Sequence, residues 1–269
     1  MLANLVLNSN SYAKWRWKTL KCISQASNIS DKLIAALFFM TSLFPRRYLY
    51  DLQIKILKKI RFNFDGNLFY ANSINEMNFI NNNFEREIQE WFQCPKDGVF
   101  IDVGANIGRY VIQLADKVDK IIAFEPSPDT FKTLNKNIEL NKISNVETYQ
   151  VALWNKDETL DFHIYPSSGS NSVNLISSII VKKIMVQGKR FKTLIDKGIV
   201  KINRLDLVKI DIEGSEYEAI QGMEVILKTY YPRMIVEIKE QNENKVIKKL
   251  RRMGYKLINK VEENYLFAA

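Results

Sequence analysis

Residues 99–108 read Val-Phe-Ile-Asp-Val-Gly-Ala-Asn-Ile-Gly, and they constrain the fold more than any other stretch. Val99, Phe100, Ile101 and Val103 form the apolar, β-branched and aromatic run of a strand buried on both faces. Gly104 ends that run, and Ile107, Val111, Leu114, Ala115 and Val118 then recur at helical spacing. Strand, tight turn and helix in that order bring backbone N–H groups and a helix N-terminus against a ligand. Asp102 adds a carboxylate at the strand's carboxyl end, where open α/β sheets bind ligands.

A pyrophosphate-binding turn wants G-x-G-x-x-G, with the middle glycine admitting the phosphate. Here Asn106 stands between Gly104 and Gly108. An acidic residue ahead of the turn suits a cationic ligand instead, such as the amino group and sulfonium of S-adenosylmethionine. Lys120–Phe124 reads as a second apolar strand closed by Glu125, about 20 positions beyond the turn, where a carboxylate can accept both ribose hydroxyls of an adenosine cofactor. The stretches IDVGANIGRY, IIAFEPSPDTFKTLNKNIELN and LVKIDIEGSEYEAIQGM resemble the FkbM-type methyltransferases over about Phe62 to Phe267. The resemblance implies a Rossmann-like α/β methyltransferase fold, a mostly parallel seven-stranded sheet whose last strand runs antiparallel. It also implies S-adenosyl-L-methionine as cofactor, held by Asp102, Gly104, Asn106, Gly108 and Glu125, with Val151 and Ala152 flanking the adenine.

The remaining elements follow the alternation of a parallel sheet covered by helices. Helices are predicted at 75–92, 129–141, 215–227 and 242–253, and strands at 146–151, 205–212, 234–238, 255–260 and 265–267. Asp65-Gly66 turns a hairpin over 61–70. Leu160–Tyr165 alternates as an edge or lid strand, and the polar loop Ser167–Asn174 reads either as part of an acceptor lid or as a plain surface loop.

Charge divides the chain. Residues 1–61 carry eleven Lys and Arg against Asp31 and Asp51, whereas 62–269 carry 28 basic and 28 acidic residues. The whole excess of +9 therefore lies in an N-terminal extension over 1–61, outside a methyltransferase domain at 62–269. The extension joins Trp15, Trp17 and nearby lysines to an apolar run at 33–44, which is below the roughly 18–20 residues of a membrane span, and to an amphipathic stretch at 48–60. It reads either as a membrane-surface segment or as a helix pair packed on the catalytic domain or a second subunit. Two cysteines and one histidine exclude a disulfide framework and a zinc cluster, and imply a cytoplasmic location, peripheral to the inner face of the membrane on the first reading.

Lys209, Asp211 and Glu213 alternate with Ile210 and Ile212, so three charges share one face near the end of a buried strand, a costly placement unless paired or functional. Asp211 or Glu213 is a candidate base, with Lys209 tuning the acceptor. His163 is the other candidate base. Alternatively Asp211 and Glu237, ending adjacent strands, hold Mg²⁺, as the resemblance to cation-dependent small-molecule O-methyltransferases implies. The favoured function is O-methylation of a hydroxyl on a sugar, glycan or other small acceptor. RNA methylation through the basic N-terminus and a non-catalytic cofactor-binding role are the alternatives; no RNA-binding module is recognisable.

Overall fold

The computed structural model describes residues 17–18, 20–43, 46–73, 76, 80, 85–165, 172–173 and 182–269, in two compact units, residues 1–82 and 83–269.

In the first unit, α1 (Ile29–Thr41) and α2 (Arg46–Leu57) are followed by the hairpin β1 (Phe62–Phe64) and β2 (Asn67–Phe69). Asn28 caps α1, its Oδ1 accepting the Asp31 N–H at 2.9 Å, which satisfies one of the helix's free donors. Asp31 is buried and accepts from Ser27 Oγ at 2.6 Å and Arg61 Nε at 3.0 Å, so this acid neutralises one basic residue internally. Gln53 Nε2 donates to the Thr41 carbonyl at 2.9 Å, tying α2 to α1. Asp65 and Gly66, at φ +51° and +82°, make the two-residue primed turn that matches strand twist.

The second unit is built on one seven-stranded sheet. Its strands are β3 (Val99–Val103), β4 (Lys120–Phe124), β5 (Val146–Tyr149), β9 (Leu207–Ile210), β10 (Arg233–Glu237), β11 (Lys256–Val261) and β12 (Asn264–Ala268). Their spatial order is β11-β12-β10-β9-β3-β4-β5. β12 pairs antiparallel with β10 and β11, and the other neighbours pair in parallel. This is the expected Rossmann-like sheet. Its strand order reverses between β3 and β9, the switch point where such sheets open a crevice. Apolar residues fill both faces: Ile101, Val103, Val208, Ile210 and Val236 towards one core, Phe100, Leu207, Ile235 and Leu266 towards the other. The covering helices are α3 (Arg109–Leu114), α4 (Pro128–Leu140), α5 (Phe191–Asp196), α6 (Glu216–Tyr230) and α7 (Glu243–Arg252).

A second sheet holds β6 (Ala152–Leu153), β7 (Glu158–Ile164) and β8 (Lys182–Lys189), in the order β6-β8-β7. It corrects two expectations. The strand expected at 146–151 stops at Tyr149, because the chain then turns away and Ala152 and Leu153 pair with Gly188 and Lys189. β8 itself is not among the predicted strands. The helix expected over 75–92 is, where described, a 3₁₀ helix from Arg86 to Trp91, preceded by Glu85 at a left-handed φ of +50° that breaks a regular helix; most of 74–84 lies outside the described residues. So does most of the Ser167–Asn174 loop, apart from Ser172 and Val173.

Candidate active site

The turn after β3 is tied down by backbone bonds. The Gly104 and Ala105 N–H groups both donate to the Phe124 carbonyl, at 2.9 and 3.0 Å. Gly104 has φ +86°, and a Cβ there would lie 2.0 Å from the Asp211 carbonyl, so this position tolerates no side chain. Asn137 on α4 is fully buried and donates to the Ile107 carbonyl at 2.9 Å, fixing the turn from the far side.

Glu125, buried at the end of β4, faces this turn. Its Oε2 accepts the Asn106 N–H at 3.1 Å and its Oε1 the Ser127 N–H at 2.9 Å. The Asn106 Oδ1 is buried and accepts no bond from a described residue. These groups line a pocket of about 670 Å³, its open mouth included, within the range of small-molecule sites. Val151, Ala152, Trp154 and Phe162 form its apolar side, and Asp211 and Glu213 its acidic end.

Beside that end the sheet gathers charge. Asp102 and Lys209 are register partners on adjacent strands, and both are buried. Lys209 Nζ donates to Asp211 at 2.8 Å and lies 4.9 Å from the centre of the Tyr110 ring. The Tyr110 hydroxyl donates to the Glu85 carboxylate. Glu237, ending β10, accepts from Lys239 at 2.6 Å, and Lys239 also reaches Glu263 at 2.8 Å and Glu213 at 3.3 Å. Carboxylate oxygens of Glu85, Asp211 and Glu237 lie within 4.8 Å of one another.

This crowding changes the acidities. Burial, then the Asp211 charge, pushes Glu213 up to about 7 despite Lys239. Repulsion from Asp211, then burial, pushes Glu237 up to about 8. Burial raises Asp102 to about 7 against the pull of Lys209, and it raises Glu85 as well. Burial alone would draw Lys209 down, but Asp211, Glu85 and Asp102 together hold it above an ordinary lysine. The site therefore sets a lysine held charged, Lys209, beside three carboxyls, Asp102, Glu213 and Glu237, raised to about 7–8.

The residues expected from sequence divide accordingly. Gly104, Asn106, Glu125, Val151, Ala152, Asp211 and Glu213 line the pocket. Asp102 does not; its side chain belongs to the Lys209 cluster. Gly108 caps α3 at φ +93°. Asp211 and Glu237 meet, but each carboxylate already has a lysine donor. His163 lies on β7 next to Phe162, which faces the pocket, and strand alternation turns the histidine to the other side. Its backbone pairs with Ser172, whose Oγ donates to the Glu213 carbonyl at 2.9 Å. Among the site residues that escape the sequence reading are Glu85, Tyr110, Lys239 and Glu216, besides the pocket wall of Trp154 and Phe162. Glu216 Oε1 accepts the Gly214 N–H at 2.7 Å, holding the Glu213-Gly214 turn.

Comparison with known proteins places the chain in a family. A sequence model described as the Methyltransferase FkbM domain matches residues 102–257. Methyltransferase 1 of Beauveria bassiana is 30% identical over 150 residues, 48% of this chain and 60% of that protein; the chain thus spans less than two thirds of that relative. The hexuronic acid methyltransferase AglP of Haloferax volcanii is 29% identical over 160 residues, 59% of this chain and 63% of that protein. A crystal structure of methyltransferase FkbM from Methylobacillus flagellatus superimposes with a TM-score of 0.48 at 10% identity, covering 97% of this chain and 60% of that one.

Proposed function

The chain belongs to the FkbM methyltransferase family, and from that premise we propose that it methylates the oxygen of a hydroxyl on a sugar or similar small polyol, using S-adenosylmethionine. One observation carries the reading: the pocket floored by the glycine turn and Glu125 ends directly on Asp211 and Glu213, so cofactor and acceptor chemistry share a cavity. The unpartnered Asn106 Oδ1 fits a ligand that brings an N–H or O–H donor. The acidic end fits a sulfonium cation. When bound, that cofactor supplies an electrophilic methyl group.

The protein's own part is positioning and proton removal. Glu125 holds the ribose, and the wall of Val151, Ala152, Trp154 and Phe162 covers the adenine and keeps water from the reacting centre. Glu213 takes the acceptor's proton, since a carboxyl near 7 is matched to a general base at neutral pH. Lys209 holds Asp211 in place and offsets charge building up beside the departing proton. Lys209 and Lys239 are both already bonded to carboxylates, which favours an uncharged acceptor over an anionic one. The relative AglP, a hexuronic acid methyltransferase, supports the sugar class of the acceptor but not its lack of charge. A neutral charge balance over residues 62–269 argues against RNA.

A second reading rests on Glu85. Together with Asp211 and Glu237 it offers three hard oxygen donors that would hold a divalent cation such as Mg²⁺, whose chemistry would be to acidify the acceptor hydroxyl. EDTA then abolishes turnover but leaves cofactor binding intact. Full activity in EDTA assigns the positive charge to the lysines alone.

The proposal is tested by calorimetry and label transfer. S-adenosylhomocysteine is expected to bind, and Glu125→Ala to weaken it by about 1–3 kcal/mol, the scale of hydrogen bonds to a charged group. Labelled methyl is expected to move to neutral glycosides and to be recovered as an ether. Binding of NAD with no response to S-adenosylhomocysteine would overturn the reading.

A further inference from the structure

Helix α1 is apolar on two sides. Ala35 and Phe38 are buried, as a helix packed on its own unit requires. On the other side Ile29, Leu33, Leu37 and Met40 are 78%, 68%, 52% and 60% exposed. At 3.6 residues per turn these four fall within an arc of about 80°, roughly opposite the buried face. Four large aliphatic side chains in one exposed stripe are a contiguous patch, unlike singly scattered surface apolar residues. The preceding helical stretch adds Trp17 and Leu20, 61% and 41% exposed, and Lys21 Nζ lies 5.8 Å from the Trp17 ring.

The charge of the segment that carries the stripe is one-sided. Residues 1–61 hold eleven basic side chains and two acids, and one of those acids, Asp31, is buried against Arg61. A second copy of this unit would bring the same excess of positive charge, so self-pairing through the stripe is electrostatically opposed. A nucleic acid would meet the charge but leave the aliphatic stripe in water. A surface that is both apolar below and anionic above satisfies both features. We propose that α1 docks the chain on an acidic phospholipid bilayer, lying in the interface with Ile29, Leu33, Leu37 and Met40 inserted and basic side chains of residues 1–61, such as Lys18 and Lys21, on the headgroups. Among the described residues no helix is long and apolar enough to cross a membrane, so the contact is one of lying on the surface. This inference is independent of the acceptor and of the catalytic residues.

The test is co-sedimentation of the full chain with vesicles of phosphatidylcholine alone and with roughly one third phosphatidylglycerol. Binding is expected to the acidic vesicles, and to fall when salt is raised to about 0.5 M, where exposed charges are screened beyond roughly 4–5 Å. Leu33→Ser with Leu37→Ser is expected to weaken binding at least about tenfold, since each removes apolar area from the bilayer. Both side chains are exposed, and circular dichroism confirms that the variant remains folded. Lys18→Gln with Lys21→Gln is expected to weaken binding at low salt only. No sedimentation with acidic vesicles at low salt overturns the proposal. So does binding unchanged by the double serine variant, or a wild-type dimer that the same variant makes monomeric.

Discussion

A carboxyl of ordinary acidity takes little of a hydroxyl's proton at neutral pH, so under the proposed function the raised Glu213 is the residue assigned the proton. It holds a left-handed backbone, φ +55°, a conformation that a non-glycine residue keeps only where its surroundings impose it. The imposing groups are Glu216, which accepts from the next residue's N–H, and Ser172, which donates to the Glu213 carbonyl. Because a base must be unprotonated, the wild-type rate is expected to rise with pH through about 7. Glu213→Gln is expected to lower kcat by about 10²–10⁴, abolish that rise and leave S-adenosylhomocysteine binding intact. His163→Ala is expected to keep both the rate and its pH dependence, since the histidine faces away from the pocket. The reverse pair of results would return the base role to His163. The alternation of Lys209, Asp211 and Glu213 was legible because strand periodicity is local. Glu85 was not, because it reaches Asp211 across 126 residues of chain and has no neighbouring signal of its own.

At the scale of elements, the parallel core could be read because its strands are short apolar runs closed by Gly104, Glu125 and the Glu213-Gly214 turn. The strand β8 escaped because Ile184 and Val186 alternate with Lys183, Met185 and Gln187, a weak pattern carrying more charge than a core strand. Its pairing with β6 also explains why the third strand ends early. That second sheet is pressed against α6 at one point: a Cβ on Gly222 would lie 1.9 Å from the Trp154 carbonyl. A methyl group cannot be accommodated there without moving helix or backbone. Gly222→Ala is therefore expected to destabilise the fold by at least about 1–3 kcal/mol, the cost of overpacking, read as a lowered denaturation midpoint. Since Trp154 lines the pocket, the same variant is expected to weaken S-adenosylhomocysteine binding. A midpoint equal to wild type would mean that α6 is not seated on this segment.

For the molecule as a whole, the concentration of acids at one end of the sheet has a consequence for stability. Asp102, Glu213 and Glu216 are raised to about 7 and Glu237 to about 8. In an unfolded chain such groups titrate near 4. Between those limits the folded state binds more protons than the unfolded one, so stability falls as pH rises from about 4 through about 8. Carboxylates held low by surface partners, such as Glu224 beside Lys228 and Lys249, act in the opposite sense and lose their contribution only on acidification below about 4–5. Lys209 and Lys239 stay charged throughout this range and add no slope. The thermal midpoint is accordingly expected to be highest near pH 5 and to decline towards pH 8. Glu237→Gln removes the charge most strongly opposed by Asp211 while keeping an oxygen for Lys239. It is expected to raise stability at pH 8 by about 1–3 kcal/mol, one pKa unit being about 1.4 kcal/mol, and to change little at pH 5, which flattens the decline. A midpoint that rises between pH 5 and 8, or a Glu237→Gln variant with the wild-type slope, would show that Lys209 and Lys239 fully compensate the cluster.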